Sequence, residues 1–548
     1  MKTCYSLISI LILLSACSSQ TTTVNDEQAP LVKPESAEKK AEVQVVEENA
    51  MVMNDVVSYV APLPSAKPTL MAEQMRIDQP SNEQYDEVKQ SSIKQVATDP
   101  VSTFSTDVDT ASYTNARRFL NLGQQPPKDA VRVEEFINYF DYQLAKPEQM
   151  DEPLRIETEL SSTPWNKKTE LLRVSLQSYQ TSVENMPPLN LVFLLDVSGS
   201  MNSDNKLPLM QRSFNLLVDQ LRPQDHVAIV VYAGASGIAL EPTSGDQKQK
   251  IITAINRLSA GGSTAGSAGI QLAYDLAQEH FAADHINRVI LGTDGDFNVG
   301  TSSTEDLKKL IEQKRDSGVF LSVLGFGTGN YKDAMMETIS NHGNGQAFYI
   351  DSFQEARKIF AQTLTATLLT VAKDVKVQIE FNPAQVAEYR LIGYDNRMLN
   401  QEDFNNDKVD AGDIGSGHSV TALYEIVRTG SEFRFIEPLR YQQNQGKTDP
   451  QAISTELAFV KVRYKMPQAD KSNLFSVPVT PDQERSPSEA MTLASSVAGF
   501  AEILRASPYI NNWNIKNAIE DLQPVLENDP WGYRHELLQL MKNADTMN

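Results

Sequence analysis

At 548 residues the chain is longer than a single hydrophobic core organises, and about three or four domains are expected. A formal net charge of −22 excludes the basic stripe that a nucleic-acid partner requires and disfavours adhesion to an anionic lipid surface. The first residues, MKTCYSLISILILLSACSSQ, carry one lysine and then an apolar run from Tyr5 to Ala16. That run is shorter than the ~20 residues of a spanning helix and fits the apolar region of a secretory signal.

The run ends in Leu14-Ser15-Ala16-Cys17, which resembles the lipobox of bacterial lipoproteins. The resemblance implies cleavage before Cys17, a lipid on its sulfur and an acylated new amino terminus. Cysteine usage agrees: Cys4 falls in the segment expected to be removed and Cys17 would be lipidated, which would leave an exported protein with neither thiol nor disulfide. Ser18 stands where an inner-membrane retention signal has aspartate, so outer-membrane sorting in a Gram-negative-type bacterium is expected. From Ser18 to about Ile93 the composition is polar and without period, which predicts a disordered tether.

Between Ser102 and Leu144 two short amphipathic helices are expected, one bearing Phe119 and Leu120, the other Phe136, Ile137 and Phe140. Two alternating strands follow, LRIETELSS and ELLRVSLQS. From Leu189 to about Ala372 apolar runs alternate with helical stretches: LNLVFLLDV, HVAIVVYAG, RVILGTDG, VFLSVLGFG and QAFYI with LPLMQRSFNLLVDQL, QKQKIITAINRL, EDLKKLIEQKRDSG and EARKIFAQTLTATLL. That alternation predicts an α/β fold, a doubly wound and mainly parallel sheet with helices on both faces. SGIALEPT follows too closely for a crossover and is expected as an antiparallel edge strand. After Ala372 the period returns to two, in DVKVQIEFN, YRLIGYD, HSVTALYEIV and AFVKVRYK. These strands and the two before Leu189 are expected to form one β-sandwich flanking the inserted α/β unit. A helical segment closes the chain, with Leu493, Val497, Phe500, Ala501 and Leu504 on one stripe. The expected organisation is a signal peptide over 1–16, a tether over 17–95, a flanking region of short helices and strands over 96–188, the α/β unit over 189–372, sandwich strands over 373–470 and helices over 471–548.

Three loops leave the carboxyl side of the expected parallel sheet, where open α/β folds bind ligands. The first carries Asp196, Ser198 and Ser200, the second Gly261 to Gly266 with Thr264, the third Thr293-Asp294-Gly295-Asp296. They offer hydroxyls and carboxylates without nitrogen or sulfur ligands, a set that suits a hard divalent ion, Mg²⁺ above all. A polar turn without a ligand is the structural alternative. Gly261 to Gly266 fits G-x-x-x-x-G, but Ser267 and Ala268 replace the lysine and hydroxyl of a phosphate-binding loop. Ser203-Asp204-Asn205-Lys206 contains fragments of penicillin-binding motifs without K-T-G. The six histidines form no H-E-x-x-H, and Asp403 to Ile414 departs from an EF-hand at Lys408 and Ile414.

DVSGSM, Thr264 in its glycine-rich loop and TDG after a later strand resemble the metal-ion-dependent adhesion site of von Willebrand factor type A domains. The resemblance implies Ser198, Ser200 and Thr264 as hydroxyl ligands of Mg²⁺ (Mn²⁺ or Ca²⁺ as alternatives), with Asp196 and Asp294 acting directly or through water. A partner's Asp or Glu carboxylate fills the last position. Asp296 lies outside the motif and is read as a solvated loop residue. STFSTDVDTASYTNARRFL before the unit and YRLIGYDNRMLNQEDFNNDKVDAGDIGSGHSVTALYEI after it resemble a bacterial lipoprotein family, YfbK-like, with uncharacterised flanking regions. That resemblance implies no established enzymatic activity, and with the adhesion site it leads to the expectation of a cell-envelope adhesion, assembly or scaffolding protein. A metal-dependent phosphotransferase or hydrolase is the alternative, weakened because no lysine accompanies the acids in the three loops; a purely structural envelope protein is another.

Overall fold

Period-two alternation and amphipathic helices divide the molecule as they divide the sequence. The computed structural model describes residues 83, 85, 87, 89–106, 109–263, 266–295, 304–329, 332–437, 455–480 and 486–547, all within the unit Arg76–Asn548. The signal segment, Cys17, Thr264 and Asp296 lie outside the described residues. Strands β1 (Lys94–Gln95) and β2 (Val101–Ser105) come first, then α1 (Ala111–Asn121), α2 (Val133–Ile137), β3 (Leu154–Thr163) and β4 (Asn166–Ser178). Two expectations change here. The end of the expected tether over 17–95 is packed: Glu83 forms an ion pair with Arg118 at 2.9 Å and accepts from the Gly329 amide at 3.0 Å. These are polar contacts to distant segments, which periodicity does not register. The stretch from Ser102 opens as a strand, not a helix. Its buried Ser102 and Thr103 hydroxyls bond Tyr424 and Gln378, so polar residues occupy positions that a pattern search expects to be apolar.

The α/β unit contains β5 (Leu189–Asp196), α3 (Leu207–Gln220), β6 (His226–Tyr232), β7 (Ser236–Ser244), α4 (Lys248–Asn256), α5 (Gly266–Glu279), β8 (Ile286–Thr293), α6 (Thr304–Asp316), β9 (Phe320–Phe326), α7 (Asp333–His342) and β10 (Ala347–Ile350). Its strand order is β10-β9-β8-β5-β6-β7, parallel throughout except for β7, the antiparallel edge expected from SGIALEPT. Alternate residues of β5 serve two cores. Leu191, Phe193 and Leu195 pack with Met210, Phe214 and Leu217 of α3, whereas Val192 and Leu194 pack with Ile270 and Ala273 of α5 and Ile311 of α6. A strand that buries both faces must read as an unbroken apolar run, and each such large side chain contributes about 1.5–3 kcal/mol. The last helical stretch is interrupted: α8 (Phe353–Arg357) and α9 (Leu364–Leu368) flank a π-helical turn over Lys358–Gln362.

The chain then returns to strands with β11 (Thr370–Phe381), β12 (Val386–Ile392), β13 (Gly412–Gly415), β14 (Ser419–Arg428), β15 (Ala458–Lys465) and β16 (Ser472–Val479). One sheet has the order β1-β12-β14-β4-β3 and the other β13-β11-β15-β16, with β2 also on β11. β14 pairs with β4 from Ser419↔Gln177 to Ile426↔Glu170, so strands on either side of the α/β unit share a sheet, and that unit is an insertion between β4 and β11. Leu172 and Val174 of one sheet face Val377, Ile379, Val460 and Val462 of the other. The segment over 471–548 is not wholly helical, because β16 occupies its start. Pro478 and the exposed Leu474 mark β16 as an edge strand, where a missing N–H is tolerated and alternation is weak. Helices α10 (Glu489–Leu504), α11 (Ile515–Leu522) and α12 (Tyr533–Met547) share a core with α1 and α2 that buries the expected stripe Leu493, Val497, Phe500, Ala501 and Leu504.

Candidate metal centre

β5 ends on Asp196 because the backbone then turns out of the sheet. Gly199 donates its amide to Gly262 O at 3.0 Å, and Gly261 donates to Val197 O at 2.8 Å, which stitches the serine loop to the glycine loop. A Cβ on Gly199 would stand 3.2 Å from Gly262 O, and Gly262 has φ +83°, so the close approach needs both glycines. Ser198 is buried, Ser200 is exposed, and their Oγ atoms are 3.1 Å apart.

Asp196 is fully buried. Its Oδ1 accepts from the Ser198 amide at 2.9 Å, and its Oδ2 accepts from Tyr232 Oη at 3.1 Å and Thr293 Oγ1 at 3.4 Å. Burial pushes its carboxyl up to about 6; the Ser198 hydrogen bonds oppose the rise and the Asp294 charge adds to it. Asp294 follows β8, and its Oδ2 accepts from Lys206 Nζ at 2.8 Å in a pair that is almost wholly buried. The stem of Lys206 lies against Gly327, φ +76°, where a Cβ would overlap it. Asp196, Ser198, Ser200 and Asp294 are thus brought together, whereas Thr264 falls outside the described residues.

Lys206, Tyr232 and Thr293 are the partners that the motif does not reveal. Lys206 reaches Asp294 from the turn before α3, so a lysine does accompany the acids, contrary to the expectation drawn from the three loops. The one sequence signal is a lone cation immediately ahead of an apolar helix with Pro208 in its first turn. Asp407, in the EF-hand-like stretch, accepts from Arg463 Nε at 3.2 Å and Ser472 Oγ at 2.5 Å, a structural acidic turn.

Two adjacent hydroxyls above an oriented carboxylate match the preference of a hard divalent ion for oxygen donors. Among the described residues no three or more His, Cys, Asp or Glu side chains are grouped to hold a metal, so an ion here depends on the serine hydroxyls. Lys206 neutralises Asp294 and would oppose a cation bound beside it. The donor set fits, at reduced charge.

Residues 190–362 match the von Willebrand factor type A domain family, 366–547 match the C-terminal family of the uncharacterized protein YfbK, and 79–173 match a family described as von Willebrand factor. The chain is 45% identical over 482 residues to the uncharacterized protein YfbK of Escherichia coli K12, covering 86% of this chain and 83% of that protein. The chain belongs to the YfbK family. It is also similar to inter-alpha-trypsin inhibitor heavy chain H3 of Mesocricetus auratus, 22% identical over 259 residues, 44% of this chain and 29% of that one. A solved von Willebrand factor type A structure from Catenulispora acidiphila covers 71% of this chain and 89% of its own at 15% identity and a TM-score of 0.39. Within this member of the family, residues 190–362 form a type A domain, a module that typically serves protein interaction and adhesion.

Proposed function

We propose that this protein is a lipid-anchored envelope protein that binds a protein ligand through a divalent ion, Mg²⁺ in the first place, held at the end of β5. The observation that carries this reading is the pair Ser198 Oγ and Ser200 Oγ, 3.1 Å apart beside the oriented Asp196 carboxylate at the carboxyl edge of a parallel sheet. Ser198 and Ser200 would hold the ion directly, with Asp196 and Asp294 balancing its charge. When bound, the ion supplies an electrophilic position for an Asp or Glu carboxylate of the ligand. The chain's own part is orientation. Gly199 and Gly262 fix the serine loop, and Tyr232 and Thr293 hold Asp196 Oδ2. Lys206 takes one oxygen of Asp294, which keeps that acid from surrendering its full charge to the ion and leaves the ion electrophilic toward an outside carboxylate.

Lys206 also gives the enzyme alternative the cation it lacked. Binding is favoured because both Asp196 oxygens accept hydrogen bonds and Asp294 is ion-paired, so neither is poised as a nucleophile. Anchoring rests on Cys17, with the outer membrane as the expected site. Cys17→Ser should release the protein from the membrane fraction or leave it uncleaved; a mature, membrane-bound variant contradicts anchoring. Carboxylate-bearing ligands should be retained on the immobilised protein with Mg²⁺ and lost with chelator or in Ser198→Ala. Retention indifferent to both contradicts the binding reading, and metal-dependent release of phosphate from a phosphate ester would favour the enzyme instead.

A further inference from the structure

Among the described strands the sheet edges are blunted, with one exception. β1 is only two residues long and β13 four. β7 carries Pro242 and β16 carries Pro478. β10 lies under α1, where Asp109 takes the Ala347 amide at 3.0 Å, and β2 is covered by the chain at Arg397 and Leu399. β3 has none of these devices. It is ten residues long without a proline, pairs with β4 in continuous register from Leu154 to Ser162, and turns the apolar Leu154, Ile156 and Leu160 toward the sandwich core. Native sheets protect such an edge because its unpaired backbone groups template a further strand.

The free side of β3 follows from its paired side. Tyr179 donates to Pro153 O at 2.8 Å, whereas Ser178 donates away from β3, to His418 O at 3.0 Å. Bonded and non-bonded pairs alternate in an antiparallel ladder, so Arg155, Glu157 and Glu159 exchange hydrogen bonds with β4. The amides and carbonyls of Leu154, Ile156, Thr158 and Leu160 therefore point out of the sheet edge, and no described strand meets them. The charges on β3 share the opposite face from its apolar residues. Glu157 bonds Arg173 through Oε1 at 2.7 Å and its side chain is still 40% exposed, which leaves room for a second cation. Arg155 is exposed and forms no ion pair among the described residues.

We propose that β3 is a homodimer interface, in which two copies pair their β3 strands antiparallel about a two-fold axis at Ile156. That axis sets Leu154 opposite Thr158 of the second copy and Ile156 opposite its own counterpart, so every bonded pair is made by residues whose backbone groups face the free edge. It also sets Arg155 opposite Glu157 of the second copy, twice by symmetry. Moving the axis by one residue either way sets Arg155 or Glu157 against itself, and moving it to Thr158 sets Glu157 against Glu159. Like charges directly opposite each other disfavour those registers, whereas the axis at Ile156 is self-complementary in charge. Ile156 and Phe475 are only half-buried beside a cavity of about 540 Å³ that opens between β3 and β16, so a second copy also covers apolar surface of the sandwich.

The test is sedimentation equilibrium of the full-length chain carrying Cys17→Ser, which removes an acyl group as a cause of association. A dimer is expected at about 100 µM. Arg155→Glu and Glu157→Lys should each weaken dimerisation by at least about tenfold, because each sets like charges opposite one another. Mixed in equal amounts, the two variants should form a heterodimer: the introduced acid of one meets the introduced base of the other, and the native pair is kept on the other side of the axis. Thr158→Pro removes an amide that only a second copy would bond, and should give a folded monomer. Should Glu157→Lys fail to fold, Arg155→Glu and Thr158→Pro carry the test. Mg²⁺ uptake at the end of β5 should be the same in all of them, which keeps this inference separate from the proposed ion site. A wild-type monomer at about 100 µM, a dimer indifferent to Arg155→Glu or to Thr158→Pro, or folded charge variants that do not combine on mixing each overturns the proposal.

Discussion

Arg117 and Arg288 are both almost wholly buried where the inserted α/β unit meets its neighbours, and they are treated in opposite ways. Arg117, on α1, donates to Asp351 at 2.8 Å, to Glu355 on α8 at 2.8 Å, to Glu536 on α12 at 3.0 Å and to Tyr139 Oη at 2.9 Å. Arg288 has Ser322 and an unpartnered Nε. One cation joins the segment before the insertion, helix α8 near the end of the insertion and the C-terminal helix α12, so it acts as a clasp. The other keeps a buried nitrogen without a partner. A buried charge whose partners are all present is costly to remove, whereas one with a single hydroxyl partner has less to lose.

The largest expected effect falls on the clasp. Arg117→Met leaves three carboxylates around an apolar side chain and should lower unfolding stability in urea by about 3–5 kcal/mol. A loss below about 1 kcal/mol would show that the clasp is incidental. Next comes Asp413. Its folded carboxyl titrates near 7, raised by burial, against 3.8 for the ordinary group. The folded state therefore binds more protons between those values, so its stability rises as pH falls from 7 toward 4. Asp413→Asn should be more stable than wild type by up to about 4 kcal/mol at pH 8 and should converge with it near pH 4. A pH-independent difference contradicts the assignment. Lys206→Met removes the cation beside Asp294 and should tighten Mg²⁺ binding by about tenfold, read by calorimetry; weaker binding would mean that Lys206 positions Asp294 instead of restraining it. The smallest effect belongs to Arg288→Met. A charge held only by Ser322 and the Phe320 ring loses little, and stability should change by less than about 1 kcal/mol in either direction.

The same contrast explains how much could be read from the chain. β5, β6, β8 and β9 announce themselves because burial on two faces demands unbroken apolar runs. The candidate-site residues Asp196, Ser198, Ser200 and Asp294 are legible because each sits within a few residues of a strand end that fixes its position. Lys206 is not, since its approach to Asp294 depends on Gly327 in a loop far along the chain. Arg117 is hidden for the same reason: its three carboxylates come from the end of β10, from α8 and from α12, and no local spacing relates them. β2 and β16 escape because buried hydroxyls and edge exposure blur the two-residue period, and α7, DAMMETISNH, is short with mixed polarity. Arg288 lies inside a recognisable strand, but its missing partner is a property of the packed molecule alone.

The central claim is that the hydroxyls and acids at the end of β5 form a divalent-ion site. Calorimetric titration of Mg²⁺ into the purified protein near neutral pH, beside the same titration of Asp196→Ala, tests it directly. Wild type should take up one ion and Asp196→Ala should not, with folding largely retained. No uptake by wild type, or equal uptake by the variant, would contradict the account.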